Sequence, residues 1–147
     1  MSQEVKHHQL IADRIYFGAA NDVPSMVEQD SVQVIVDLRK ESTGCAAYHA
    51  GVVWIRIPLD DRPEHDQSAL FKEAINAVVT AYQDGKKVAF HCGGGKGRTG
   101  TVAVGVLMAL GLASTLAEAE TMTKAIRPVI NLHPAQRQAL QTLYPYG

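Results

Sequence analysis

The chain has little cysteine: two thiols, Cys45 and Cys92, in 147 residues. That excludes the disulfide frameworks that hold small secreted domains together. No apolar run approaches the length of a membrane span. The opening Met-Ser-Gln-Glu-Val-Lys-His-His holds no apolar signal-peptide core, and His7 and His8 read as a solvated terminus. An excess of charge of one sign is missing too. A net charge of −1 argues against general attraction to nucleic acid or to anionic membrane. No group of histidines, cysteines and carboxylates has metal-ligand spacing, so neither a metal nor an organic cofactor is expected. Repeats, low-complexity stretches and long linkers are absent. What is left is a cytoplasmic protein folded as one domain over residues 1–147, with an apolar fraction of 46% that suits an ordinary core.

The apolar pattern alternates between two periods. Val32–Leu38 is rich in β-branched residues and predicts a buried strand. Residues 52–57 predict another, with Val53, Ile55 and Ile57 on one face. Glu41–Ala50, between them, reads as a short helix or a loop. From Gln67 to Asp84 the apolar residues Leu70, Phe71, Ala74, Ile75, Val78, Val79 and Tyr82 form one helical face. A strand at 88–91 follows, then a helix from Thr99 to Leu110. Thr115 with Glu118 predicts a capping box for a helix to Ile126, and Pro134 suits the first turn of a last one through Leu143. Strands alternating with helices imply an α/β fold: a mostly parallel central sheet flanked by helices on both faces.

Between the strand at 88–91 and the next helix lies His91-Cys92-Gly93-Gly94-Gly95-Lys96-Gly97-Arg98-Thr99-Gly100. A glycine-rich turn from a strand into a helix N-terminus is an anion site, because backbone N–H groups and the positive helix end face one point. Here a cysteine opens the turn and an arginine closes it. A helix N-terminus and a nearby cation favour the thiolate, which is the nucleophile. The Arg98 guanidinium matches two phosphate oxygens at once. The chemistry is that of a thiolate attacking a bound phosphoryl group.

His-Cys-x5-Arg-Thr-Gly resembles the signature of the cysteine-dependent protein tyrosine phosphatase superfamily, and the surrounding pattern resembles its small dual-specificity branch. Ile11–Gly18 resembles the family's opening strand, and Ile57-Pro58-Leu59-Asp60-Asp61 its general-acid loop. The resemblance implies a tyrosine phosphatase-like fold and a phosphomonoester hydrolase working through a cysteinyl-phosphate. Its substrate would be a phosphorylated protein, on phosphotyrosine and also phosphoserine or phosphothreonine, or a small phosphorylated molecule. Cys92 would be the nucleophile. Gly93, Gly94, Gly95, Lys96, Gly97 and Arg98 would hold the phosphate. Asp61, favoured over Asp60, would be the acid. Thr99 would bond the cysteine sulfur and His91 would position the cysteine. Lys96 matches a loop lysine of phosphoinositide phosphatases, whose second loop lysine is replaced here by Gly93; a phosphoinositide or other small polyanionic phosphate is the alternative substrate.

Other residues carry two readings. Gln136 resembles a glutamine that positions the attacking water in some relatives, or is a surface helical glutamine. Arg39 orients substrate, or pairs with Asp37 or Glu41. Asp66 reads as a helix N-cap. Cys45 is a bystander thiol, or a partner for an oxidised Cys92. Gly95–Gly100 also fits G-x-G-x-x-G, but the acidic residues that follow, Glu118 and Glu120, fall inside a helix, so the dinucleotide context fails. A phosphate-binding module without catalysis would require loss of the cysteine, arginine or acid, and all three are present.

Overall fold

Five strands build the sheet that carries the Cys92 turn. The structure is a computed structural model and describes residues 6–44 and 51–147. Cys45, and the 45–50 part of the expected helix or loop, lie outside the described residues. The elements run β1 (His8–Ile11), β2 (Ile15–Ala19), α1 (Val23–Glu28), β3 (Val34–Asp37), β4 (Val53–Arg56), α2 (Ser68–Gln83), β5 (Val88–Cys92), α3 (Arg98–Ala109), α4 (Leu116–Ile126) and α5 (Pro134–Leu143). The strand order is β1-β2-β5-β3-β4. β1 pairs antiparallel with β2, and the other neighbours are parallel.

The mostly parallel sheet covered on both faces is the expected architecture, and the cover is unequal. Ile15 and Phe17 of β2, Val34 and Val36 of β3, and Val88, Phe90 and Cys92 of β5 point into the core shared with α2, α3, α4 and α5. Tyr16, Ile35 and Ala89, the alternate residues, face α1 and pack with Val23, Met26 and Val32. α3 lies inside: from Arg98 to Leu107 every residue is buried. Its small and β-branched sequence, apolar all round, suits a helix wrapped by other elements.

Three local expectations need correction. The opening segment is a hairpin and not one strand, because Asp13 takes a left-handed turn (φ 63°) between β1 and β2. The predicted inner face of the 52–57 strand is half open: Val53 is 48% exposed and only Ile57 is fully buried, because β4 is the sheet edge. His7 and His8 are not a free terminus. His7 Nε2 meets Asp30 Oδ2 at 2.5 Å and His8 Nδ1 meets Arg127 Nη1 at 3.0 Å. The helix ends follow their caps. Glu118 N donates to Thr115 Oγ1 at 3.1 Å. Asp66 sits one residue before the cap position of α2, yet its carboxylate accepts from the Ser68 N–H at 3.1 Å and the Ser68 hydroxyl at 2.7 Å.

Candidate active site

Cys92 is the last residue of β5 and Arg98 the first of α3, so the parallel sheet delivers a thiol to the N-terminus of a buried helix. The intervening turn is tied down through its carbonyls, three of them from other segments and Gly97 O by the first turn of α3 itself. Gly93 O accepts from Ala20 N at 3.2 Å, Gly95 O from Arg127 Nε at 2.8 Å, Lys96 O from Asn131 N at 3.3 Å, and Gly97 O from Thr101 N at 2.9 Å. The amides of residues 93–97 donate to no protein acceptor among the described residues. A turn whose carbonyls are engaged outward has its N–H groups left for an anion. Gly95 adopts φ +69°, and a Cβ there would lie 2.6 Å from the Gly18 backbone and from Arg127 Nη2; no other residue fits.

Arg98 is held by Glu41 and Leu59, with Leu38 O a longer contact at 3.4 Å. Its Nη1 donates to Leu59 O at 2.8 Å and to Glu41 Oε1 at 2.8 Å, and its Nη2 donates to Glu41 Oε2 at 2.8 Å. Burial works against the guanidinium charge, but Glu41, Cys92 and Asp61 together outweigh it. In return, the Arg98 hydrogen bonds pull Glu41 down to about 2. Nε of Arg98 is buried and has no partner among the described residues. The fork is therefore gripped along one edge and free along the other.

Thr99 Oγ1 lies 3.0 Å from Cys92 Sγ and 3.2 Å from Gly18 O. His91 projects to the opposite face of the sheet, 1% exposed, with Nδ1 3.1 Å from Cys92 O and Nε2 3.9 Å from Asp37 Oδ1. Burial pushes the His91 ring below its ordinary value. Asp37 anchors this side. Burial alone would raise its carboxyl, but hydrogen bonds from Arg39 at 2.8 and 3.0 Å and from Ser42 at 2.6 Å bring it below the usual range. Arg39 thus pairs with Asp37.

A cavity of about 160 Å³ opens over the sulfur, lined by Asp61, Cys92, Gly94, Lys96, Gly97, Arg98, Asn131 and His133. Asp61 reaches it and Asp60 does not. Asp60 Oδ1 accepts from Arg62 N, and its other oxygen lies 3.9 Å from Lys40, in a separate cleft. Gln136 is not a surface residue. It is 1% exposed, because its amide fits against Gly97, where a Cβ would come within 2.9 Å of Nε2 and 3.2 Å of Asp61 Oδ1.

Residues 15–144 match the family described as dual specificity phosphatase, catalytic domain. The chain belongs to that family. This cysteine-dependent phosphatase domain is similar to human dual specificity phosphatase 28, 28% identical over 134 residues that cover 89% of this chain and 74% of the relative. Human dual specificity protein phosphatase 15 is 32% identical over 93 residues, 61% of this chain but 30% of that protein. A crystal structure of a variant of human dual specificity phosphatase 28 superposes with a TM-score of 0.82 at 25% identity, over 95% of this chain and 94% of the other.

Four residues that line this cavity or brace its turn have no site role in the sequence reading: Glu41, Arg127, Asn131 and His133. In the sequence Glu41 has a role only as a partner for Arg39, and Arg127 lies just past the expected helix end at Ile126. An arginine beside a proline, Arg127-Pro128, carries no sign that its side chain will be fully buried under the Gly95 carbonyl.

Proposed function

We propose that this domain hydrolyses phosphomonoesters through a cysteinyl-phosphate, acting on phosphotyrosine and on phosphoserine or phosphothreonine in proteins. The observation that carries the reading is the set of donors left free beside Cys92: the buried Nε of Arg98 and the unpaired amides of the 93–97 turn. They match a dianion bound in front of the sulfur.

Cys92 attacks phosphorus as the thiolate. Arg98 Nε, Arg98 Nη2 and the loop amides hold the equatorial oxygens. Asp61 gives a proton to the departing oxygen, then takes one from the water that hydrolyses the phosphocysteine. The Thr99 hydroxyl donates to Sγ, which supports the thiolate as it leaves phosphorus in the second step. Gln136 lies against Gly97 beside Asp61, in reach of that water. His91 and Asp37 position the strand end from behind. Among the described residues no Phe, Tyr or Trp lines the cavity, which supports acceptance of alkyl as well as aryl esters.

The test is metal-free hydrolysis, in chelator, of p-nitrophenyl phosphate, phosphotyrosine and phosphothreonine peptides and phosphoinositides. Release that vanishes in Cys92→Ser, with a phosphate adduct on the Cys92 peptide after acid quench, is expected. Equal release by Cys92→Ser would sink the reading. Preference for phosphoinositides would move the substrate to lipid and leave the mechanism standing.

A further inference from the structure

Arg127 grips the Cys92 turn on one side and is gripped by the first strand on the other. Its Nε donates to Gly95 O at 2.8 Å. Its Nη1 donates to Lys6 O at 2.8 Å and to His8 Nδ1 at 3.0 Å. Arg127 is fully buried, so these contacts decide which way its plane faces. A guanidinium only donates. The bond to His8 therefore requires a lone pair on Nδ1, with the proton of the neutral ring on Nε2. β1 holds the ring in place: His8 sits opposite Phe17 of β2 and meets its ring edge-on, with centroids 6.4 Å apart.

At the other end of this relay is the Gly95–Lys96 peptide. In a planar trans peptide the carbonyl and the next N–H point in opposite directions. Drawing Gly95 O out to Arg127 Nε turns the Lys96 N–H the other way, and Lys96 lines the cavity over Cys92. That amide has no protein acceptor among the described residues. The turn has little slack here, since Gly95 is left-handed and packs against the Gly18 backbone and Arg127 Nη2.

We propose that His8 is a positioning residue of this site: its unprotonated Nδ1 sets the Arg127 fork, and through that fork it aims the Lys96 amide at the bound phosphoryl group. The inference rests on the reading of the turn as the phosphoryl holder. A proton on Nδ1 removes the acceptor and places a second cation against Arg127, so the grip on a dianion loosens as His8 becomes charged. The charged groups facing the ring are Arg127 at the end of α4, Asp22 after β2, and His7 beside it on the chain. Burial, Arg127 and His7 hold the ring below its ordinary value, and Asp22 opposes them. His8 is thus neutral at neutral pH and takes up its proton in mild acid.

The experiment uses sulfate as the probe, because it keeps one charge state where phosphate changes its own. Calorimetry measures sulfate binding to Cys92→Ser, which removes the titration of the sulfur, alone and combined with His8→Asn or His8→Phe, from about pH 5 to about pH 8. Asparagine places an amide oxygen where Nδ1 lies and does not titrate. Phenylalanine keeps the ring and offers no acceptor. At about pH 8 the parent and the His8→Asn protein should bind alike, and His8→Phe about five-fold more weakly at every pH. Toward about pH 5 the parent should fall behind His8→Asn and approach His8→Phe. All other titrating groups are common to the three proteins and cancel in these ratios. On p-nitrophenyl phosphate, kcat/KM for the same His8 substitutions without Cys92→Ser should follow the same two ratios. A parent-to-Asn ratio that ignores pH, or His8→Phe binding as the parent does, would overturn the assignment. Should near-UV circular dichroism show His8→Phe misfolded, the parent and His8→Asn decide alone. A wild type that neither binds sulfate nor hydrolyses the ester removes the phosphoryl reading of the turn first, and the role of His8 with it.

Discussion

Replacing Glu41 by glutamine keeps the size of the side chain and removes its charge from the Arg98 fork. Arg98 donates to both carboxylate oxygens at 2.8 Å, and this pairing draws Glu41 from 4.5 to about 2. In a site sealed from water that drop would correspond to about 3.4 kcal/mol. The Glu41 side chain is 58% exposed, so solvent screening reduces the stabilisation to about 1 kcal/mol. Urea unfolding of wild type and Glu41→Gln at neutral pH should differ by about that amount. The folded-state value lies below the unfolded one, so the contribution is whole above 4.5 and is lost as pH falls through about 2. The gap between the two proteins should therefore narrow as the titration proceeds downward from 4.5. The active site gives a second readout. In the variant, Nη1 keeps Leu59 O at 2.8 Å while the Glu41 side of the fork is loosened. Inhibition constants for inorganic phosphate and vanadate should rise about five-fold, the equivalent of about 1 kcal/mol. A stability gap that ignores pH, together with unchanged inhibition constants, would refute the idea that Glu41 aims the guanidinium.

Arg127→Met removes the donor to Gly95 O and Lys6 O. The buried Gly95 carbonyl left without a donor should cost about 1–3 kcal/mol of stability, and kcat/KM should fall with it; Arg127→Lys, with no planar fork, should not restore either. Thr99→Val keeps the shape of a fully buried side chain and deletes the bond to Sγ at 3.0 Å. Rapid-quench kinetics should then show a burst of leaving group followed by turnover slowed about ten-fold, a loss of about 1.4 kcal/mol of transition-state support; a lost burst with unchanged hydrolysis would contradict it. Burial holds His91 below 6.5, so the unfolded chain binds that proton more readily than the fold. Stability should be full above about 6.5 and decline as pH drops toward the folded-state value. His91→Asn should flatten that decline in denaturant midpoints.

The sequence by itself determined that the proposed reaction centre is local. Cys92, the glycines and Arg98 sit within one turn between a strand and a helix, and local chain geometry alone brings such residues together. A β-branched run likewise marked β3, short apolar runs marked β5 and α3, and a 3.6-residue period marked α2, because burial leaves a trace along the chain. Edge and hairpin positions were less legible. Val53 carries a strand residue's side chain on an open face, and only the strand order makes β4 an edge. Which carboxylate enters the cavity was decided in three dimensions, since Asp60 and Asp61 differ only in which way the loop turns them. The supports of the site were hidden for the same reason. Glu41, Arg127 and His133 come from three segments far apart in sequence, and each looks like an ordinary polar residue there. Packing of the β3 loop, the end of α4 and the cap of α5 around one glycine turn gives them their partners, because a buried donor or carbonyl must find its hydrogen bond wherever the fold brings one.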